Sequence, residues 1–107
     1  HFDAFAMDGS ELSRTNTKYG GQRTFTALCY LNNVEKGGGT IFPEIPLEIK
    51  PERGKLIIFK NTIYGNNTID SKALNGGLPV IKGQKWAFNL WFREQDRREF
   101  YNYKIKD

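Results

Sequence analysis

The pattern of apolar and polar positions along the chain predicts short β-strands separated by turns. Alternating or continuous apolar segments rich in β-branched and aromatic residues are typical of strands, and they occur at residues 23–31, 40–43, 47–50, 55–60 and 84–93. Gly, Pro and Asn separate these segments at short spacings, as in sandwiches and barrels. The chain is therefore expected to be all-β.

Three further predictions follow from local composition. The continuous apolar run at residues 56–59 predicts a strand buried on both faces. No helix with a convincing period is found, and the polar stretches 7–21 and 61–70 are predicted to be loops. Residues 93–104 are highly charged and are predicted to form a tail or a short turn.

The last predicted strand has two faces of different character. Alternation places Trp86, Phe88, Leu90 and Phe92 on one face, which is wholly apolar. The other face carries Lys85 and Trp91 among small or polar residues. A lysine and an indole together on one face predict a wet cavity, with a solvent-facing strand as the alternative.

Length and charge limit the classes of protein. At 107 residues the chain is expected to be one domain. It contains no run of about 18 apolar residues and no visible signal peptide, so no membrane association and a cytoplasmic location are expected. A net charge of +4 on scattered residues predicts a solvated surface and no nucleic-acid partner, with weak attraction to acidic partners as the alternative. The lone Cys29 excludes an internal disulfide and is predicted to be a small buried hydrophobe.

The first residues of the chain carry candidate metal chemistry. His1 and Asp3 are two positions apart, so an extended backbone presents both side chains on one face. An imidazole and a carboxylate are two of the three ligands of a 2-His-1-carboxylate site for non-haem Fe(II). Because the chain begins at His1 without a methionine, it is expected to be a fragment, with a processed terminus as the alternative. An N-terminal histidine could instead bind copper through its amine and imidazole, which the rest of the pattern disfavours.

An ordered set of motifs resembles the catalytic domain of the prolyl 4-hydroxylase branch of the 2-oxoglutarate/Fe(II) dioxygenases. Each motif alone is weak, but together they span nearly the whole chain in order. They are HFD at 1–3, GGQR at 20–23, YLN at 30–32, GGGTIFP at 37–43, PERGKL at 51–56 and GGLPVIKGQKW at 76–86.

The resemblance implies a fold and an iron site. The fold would be a double-stranded β-helix, a jelly-roll-like sandwich that forms the C-terminal part of a larger α+β catalytic domain. The first two iron ligands would be His1 and Asp3. In the same family pattern, Lys85 would pair with the distal carboxylate of 2-oxoglutarate, Thr40 would hydrogen-bond it and Trp91 would wall its pocket. Arg23 matches a residue near the peptide-substrate groove.

One position departs from the family pattern. The third iron ligand is a histidine in the family, whereas this chain has Asn75 there and no other histidine to replace it. An amide oxygen is a far weaker ligand for Fe(II) than an imidazole. Three explanations stay open: iron-dependent activity has been lost, a weak site uses His1, Asp3, Asn75 and water, or the residue is an engineered or sequencing change.

The resemblance implies an enzyme that hydroxylates a peptide residue, with proline as the preferred substrate. Fe(II) and 2-oxoglutarate would be required, with ascorbate as a further candidate cofactor. The alternative is an impaired module that binds a peptide or a dicarboxylate without turnover. The partner is expected to be a peptide or protein, and self-association is expected through the apolar face of Trp86, Phe88, Leu90 and Phe92.

Overall fold

Eight short strands and two helical segments follow one another along residues 1–95, the part of the chain that the computed structural model describes. In chain order they are α1 (Glu11–Thr17), β1 (Arg23–Tyr30), β2 (Lys36–Gly37), β3 (Thr40–Phe42), β4 (Leu47–Ile49), β5 (Leu56–Lys60), a 3₁₀ helix (Ser71–Ala73), β6 (Gly76–Gly77), β7 (Val80–Lys82) and β8 (Ala87–Arg93). The nearly all-β prediction is confirmed. Each of the five predicted strands contains an observed one.

The helix α1 corrects the prediction of a loop at residues 7–21. Its seven residues begin after Ser10, whose Oγ accepts a hydrogen bond of 3.1 Å from the backbone N–H of Ser13. Serine at this position satisfies one of the free N–H groups of the first turn. Glu11 adds a negative charge near the positive end of the helix. The N-cap therefore favours a helix that the apolar period alone does not reveal.

The strands form three antiparallel sheets with the orders β5–β1–β8, β2–β7 and β4–β3–β6. In the first sheet Thr26 pairs with Trp91 and Leu28 with Asn89. Side chains of directly opposed residues share a face, so these four lie on one side, the inner face. This confirms the predicted alternation along β8.

The inner face packs against the β4–β3–β6 sheet. Phe42 of β3 and Phe59 of β5 meet edge to face, with ring centroids 5.0 Å apart. The hydroxyl groups of Tyr30 and Thr40 are hydrogen-bonded across the same space. The interior is unusually polar, because the largest fully buried side chains are Tyr30, Gln22, Asn61, Thr26 and Thr62. Buried polar groups need partners, which makes this interior the place to look for a site.

The opposite side of the β5–β1–β8 sheet exposes apolar side chains. We call it the outer face, and it consists of Phe25, Leu56, Ile58, Phe88, Leu90 and Phe92. The prediction that residues 56–59 are buried on both faces is wrong, since Leu56 is 55% and Ile58 63% exposed. The predicted apolar face at the last strand is exposed throughout, Trp86 included. Cys29 is half-buried there rather than buried.

Two further expectations concern the segment after the last strand and membrane-spanning helices. Most of the segment 93–104, predicted as a tail or turn, lies outside the described residues. No helix within residues 1–95 is long and apolar enough to cross a membrane.

Candidate active site

Backbone pairing brings the start of the chain beside residue 75. The backbone N–H of Asn75 donates to the His1 carbonyl over 3.0 Å, and the His1 amino group donates to the Asn75 carbonyl over 2.9 Å. Residues 74 positions apart are thereby held side by side. The segment before β6 and the first residues of the chain thus place their side chains against one another.

The side chains of His1 and Asp3 converge as the i, i+2 spacing predicts. The His1 Nε2 lies 3.1 Å from the Asp3 Oδ1. The carboxylate is buried, whereas the imidazole is largely exposed. The pair therefore has a solvent-accessible side at the imidazole and a rigid, buried side at the carboxylate.

The two oxygens of Asp3 have different partners. The Oδ2 accepts hydrogen bonds from the Thr26 hydroxyl at 2.7 Å and from the Trp91 indole N–H at 3.4 Å. The Oδ1 is the oxygen near His1, and it accepts an N–H from the Asn75 side chain at 3.3 Å. One oxygen is anchored to the sheet and the other is directed toward His1 and Asn75.

A pocket of about 130 Å³ connects these residues with the predicted cosubstrate groups. It is lined by His1, Asp3, Leu28, Thr40, Phe59, Asn75, Gly77, Lys85 and Asn89. The structure thus brings five of the seven predicted site residues to one cavity. Apolar walls at Leu28 and Phe59 lower the local dielectric constant, which strengthens charge interactions inside.

Lys85 supplies the positive charge of this pocket. Its Nζ lies 5.6 Å from the centre of the Tyr30 ring, over which the ammonium group is favourably placed. Burial lowers the pKa of Lys85. Within residues 1–95 no carboxylate forms an ion pair with it. A partly desolvated ammonium group without a carboxylate partner suits the binding of an organic anion.

The two other predicted residues, Arg23 and Trp91, are not among the residues that line this pocket. The Arg23 guanidinium is stacked between the rings of Phe5 and Trp91, at 4.4 and 4.1 Å from their centres. Trp91 therefore has two contacts, its ring face on Arg23 and its N–H on Asp3. The predicted functions of both residues, a pocket wall and a substrate contact, stay predictions.

Sequence reasoning did not identify Thr26, Tyr30 and Asn61 as parts of the site. The alternation that separates the faces of β8 applies equally to β1, where Thr26 and Tyr30 lie on the inner face. That signal was present for both. No local pattern marks Asn61, which follows β5 and reaches Thr26 across the sheet.

The donor set fits a divalent ion at two positions of three. Two ligands about 2.1 Å from one ion and at right angles are about 3.0 Å apart, close to the 3.1 Å between His1 Nε2 and Asp3 Oδ1. The third position differs, because Asn75 directs its NH₂ at Asp3 Oδ1 and at the Ala73 carbonyl. Residues 1–95 contain no cluster of three or more His, Cys, Asp or Glu side chains for a metal.

Comparison with known proteins identifies the family. The model of the 2OG-Fe(II) oxygenase superfamily matches residues 1–93. The chain belongs to this superfamily, and the predicted resemblance to its prolyl 4-hydroxylase-like members is confirmed by the relatives.

A putative prolyl 4-hydroxylase of Acanthamoeba polyphaga mimivirus is 38% identical over 95 residues, covering 89% of this chain and 39% of that protein. Prolyl 4-hydroxylase 13 of Arabidopsis thaliana is 36% identical, covering 89% of this chain and 38% of that protein. The chain therefore spans less than half the length of these relatives.

A solved structure shows the same fold. The viral collagen prolyl hydroxylase of Paramecium Bursaria Chlorella virus-1, in complex with 2OG, superimposes with a TM-score of 0.75 at 32% identity. The match covers 90% of this chain and 51% of that one. The predicted jelly-roll-like fold is thereby confirmed.

Proposed function

We propose that this chain carries the iron and 2-oxoglutarate site of an oxygenase that hydroxylates a peptide residue, with proline as the preferred substrate. The observation that carries the proposal is the convergence of His1 Nε2 and Asp3 Oδ1, 3.1 Å apart, in the pocket that also contains Lys85. Support also comes from the names of the relatives, which are prolyl 4-hydroxylases.

In this proposal His1 and Asp3 hold Fe(II), and the chemistry that the ion supplies is O₂-dependent oxidation coupled to decarboxylation of 2-oxoglutarate. Lys85 binds the distal carboxylate of 2-oxoglutarate by charge. The hydrogen-bonded hydroxyls of Thr40 and Tyr30 orient that end of the molecule. Leu28 and Phe59 exclude water from the pocket, which strengthens the attraction between ammonium and carboxylate.

The substrate peptide is proposed to pass near Arg23. Its guanidinium is held in one orientation by the rings of Phe5 and Trp91. A planar cation fixed between two aromatic rings loses little further freedom when it donates to a carbonyl or carboxylate. The position beside Asp3, through Trp91, puts such a contact close to the proposed iron site.

The side chain of Asn75 supports a second candidate function, binding without turnover. Its NH₂ group faces Asp3 Oδ1, so the third position offers a donor where a metal requires a lone pair. A chain that binds a peptide or dicarboxylate without turnover is therefore the alternative, and the experiment must distinguish it from the enzyme.

The test is 2-oxoglutarate decarboxylation by the chain and by its Asn75→His variant, each with Fe(II) and a proline-containing peptide. Turnover by the unchanged chain supports the enzyme. Turnover by Asn75→His alone shows that the missing imidazole is the defect. If both bind 2-oxoglutarate and neither turns it over, the binding alternative holds. If neither binds 2-oxoglutarate, both proposals fail.

Three finer expectations stay predictions. Ascorbate is proposed to support sustained turnover, which a comparison of activity with and without it checks. Self-association through the outer face is proposed from the exposure of its apolar side chains, and sedimentation at several concentrations checks it. The cytoplasmic location is to be checked by imaging.

A further inference from the structure

A chain of buried hydrogen bonds holds the Oδ2 atom of the Asp3 carboxylate. Asn61 Nδ2 lies 2.9 Å from Thr26 Oγ1, which in turn lies 2.7 Å from Asp3 Oδ2. Thr26 and Asn61 are each only 1% exposed. Asn61 is not among the residues that line the pocket, and its side-chain hydrogen bond to Thr26 connects it to the site.

The direction of donation along this chain is fixed by the chemistry of its members. An ionised carboxylate only accepts, so the single proton of the Thr26 hydroxyl goes to Asp3 Oδ2. Thr26 Oγ1 must then accept its second hydrogen bond. The amide NH₂ of Asn61 provides it, because an amide is one of the few neutral groups that can donate there.

An asparagine at position 61 carries a free-energy penalty for a buried polar atom, and its donation to Thr26 offsets that penalty. Its other amide atom, Oδ1, is buried and has no hydrogen-bond partner among the described residues. A leucine of similar shape would avoid that penalty. Among residues 1–95, donation to Thr26 is thus the one hydrogen bond of the Asn61 side chain.

Asn61 is itself held by the backbone on both sides. Its N–H donates to the Thr24 carbonyl over 2.8 Å, and its carbonyl accepts from the Asp70 N–H over 3.0 Å. Thr26 lies in the middle of β1, which is paired with strands on both edges. Groups fixed by regular backbone hydrogen bonds hold a side chain more accurately than groups on free loops.

We propose that Asn61 is a positioning residue: through Thr26 it anchors Asp3 Oδ2, so that Oδ1 alone faces His1 and the metal position. This inference rests on the proposed function of the site, because it concerns the ligand geometry of Asp3. Outer partners of metal ligands set ligand orientation, and their removal lowers metal affinity by about 10- to 100-fold.

The test uses two readouts on the whole chain. The first is the affinity for Mn(II) alone, measured by electron paramagnetic resonance of the free ion. The second is the indole N–H resonance of Trp91 without metal, because that N–H lies 3.4 Å from the anchored oxygen of Asp3. The other tryptophan, Trp86, donates its indole N–H to the Gln84 side chain and is the internal reference.

Four variants separate positioning from folding. Asn61→Leu keeps the shape of the side chain and removes the donor. Thr26→Val removes the hydroxyl, whereas Thr26→Ser retains it. Thr62→Val is the matched control, since Thr62 is equally buried and makes none of the hydrogen bonds to Asp3. We expect Asn61→Leu and Thr26→Val to lower Mn(II) affinity by about tenfold or more and to shift the Trp91 resonance. Thr26→Ser and Thr62→Val should change neither.

The double variant Asn61→Leu/Thr26→Val tests whether Asn61 acts on Asp3 through Thr26. Because Asn61 acts only through Thr26, the double variant should bind Mn(II) no more weakly than Thr26→Val alone. Additive losses would overturn the proposal, and so would an unchanged Trp91 resonance in Asn61→Leu. If the unchanged chain binds no Mn(II), the proposed function of the metal site fails, while the Trp91 resonance still decides the positioning of Asp3.

Discussion

The side-chain NH₂ of Asn75 donates to Asp3 Oδ1 across 3.3 Å, the same oxygen that lies 3.1 Å from His1 Nε2. In the proposed metal site, residue 75 therefore lies beside both candidate ligands and turns an amide NH₂, which has no lone pair for a metal, toward them. The backbone hydrogen bonds between residues 1 and 75 hold the two segments in register at this position.

Replacing this side chain by an imidazole should strengthen metal binding. We expect Asn75→His to raise Mn(II) or Fe(II) affinity by about 100-fold, or roughly 3 kcal/mol, because an imidazole is a far better ligand than an amide. Asn89→His is the matched control, as it adds a histidine elsewhere in the same pocket. An equal gain from both variants would show that position 75 has no special role.

Lys85 should dominate the binding of 2-oxoglutarate. Lys85→Met is expected to weaken binding by about 1.5–3 kcal/mol, the usual value of a hydrogen bond to a charged group. Because burial lowers the pKa of Lys85, affinity should also begin to fall at a lower pH than for an exposed lysine. Calorimetric titration across pH measures both effects. Lys82→Met removes an exposed lysine that pairs with Glu35 and should leave binding unchanged.

The lowered pKa of Lys85 also predicts that stability rises with pH, whereas the affinity for 2-oxoglutarate falls. In the pH window between the lowered folded pKa and the ordinary value of 10.5, the unfolded chain binds more protons at Lys85 than the folded chain. The free energy of unfolding should therefore rise with pH across that window. Urea unfolding at several pH values measures it, and the contribution should be missing in Lys85→Met and present in Lys82→Met.

Sequence reasoning located the strands because a strand is a local property. The segments around β1, β3, β4, β5 and β8 carry β-branched and aromatic residues between turns. It did not locate β2 and β6, which have two residues each, or β7, which follows β6 in a segment interrupted by Gly and Pro. It also misjudged residues 56–59, because an apolar run marks a strand without showing whether a second layer covers each face.

The residues of the candidate site also fall into two groups, those that the sequence identifies and those that only the structure identifies. The pair His1 and Asp3 follows from their spacing, and Lys85, Thr40 and Asn75 follow from the family resemblance. The alternation along β1 marks Thr26 as an inner-face residue, but no local pattern predicts its hydrogen bonds to Asp3 and Asn61, which are 23 and 35 positions away. The pairing of β1 with β5, continued by the hydrogen bond from the Asn61 N–H to the Thr24 carbonyl, brings Thr26 and Asn61 together.

Trp91 allows its two contacts to be separated. Trp91→Phe keeps a ring face for the Arg23 guanidinium and removes the N–H that reaches Asp3. We expect a stability loss of no more than about 1 kcal/mol, together with weaker Mn(II) binding. Trp91→Ala should lose both contacts and unfold more easily. Mn(II) binding that is unchanged in Trp91→Phe would exclude a role of the indole N–H in holding Asp3.

The outer face should control self-association. Ile58 and Leu90 lie near its centre, both opposite Ala27 of β1, and both are more than half exposed. Contiguous apolar surface of this kind favours contact with other apolar surface. Ile58→Thr/Leu90→Thr should therefore reduce concentration-dependent association in sedimentation experiments, while threonine keeps the preference for a strand. Tyr64→Ser is the control, because Tyr64 is 91% exposed and lies outside this sheet. Equal association of both variants and the unchanged chain would show that this face makes no contact between copies.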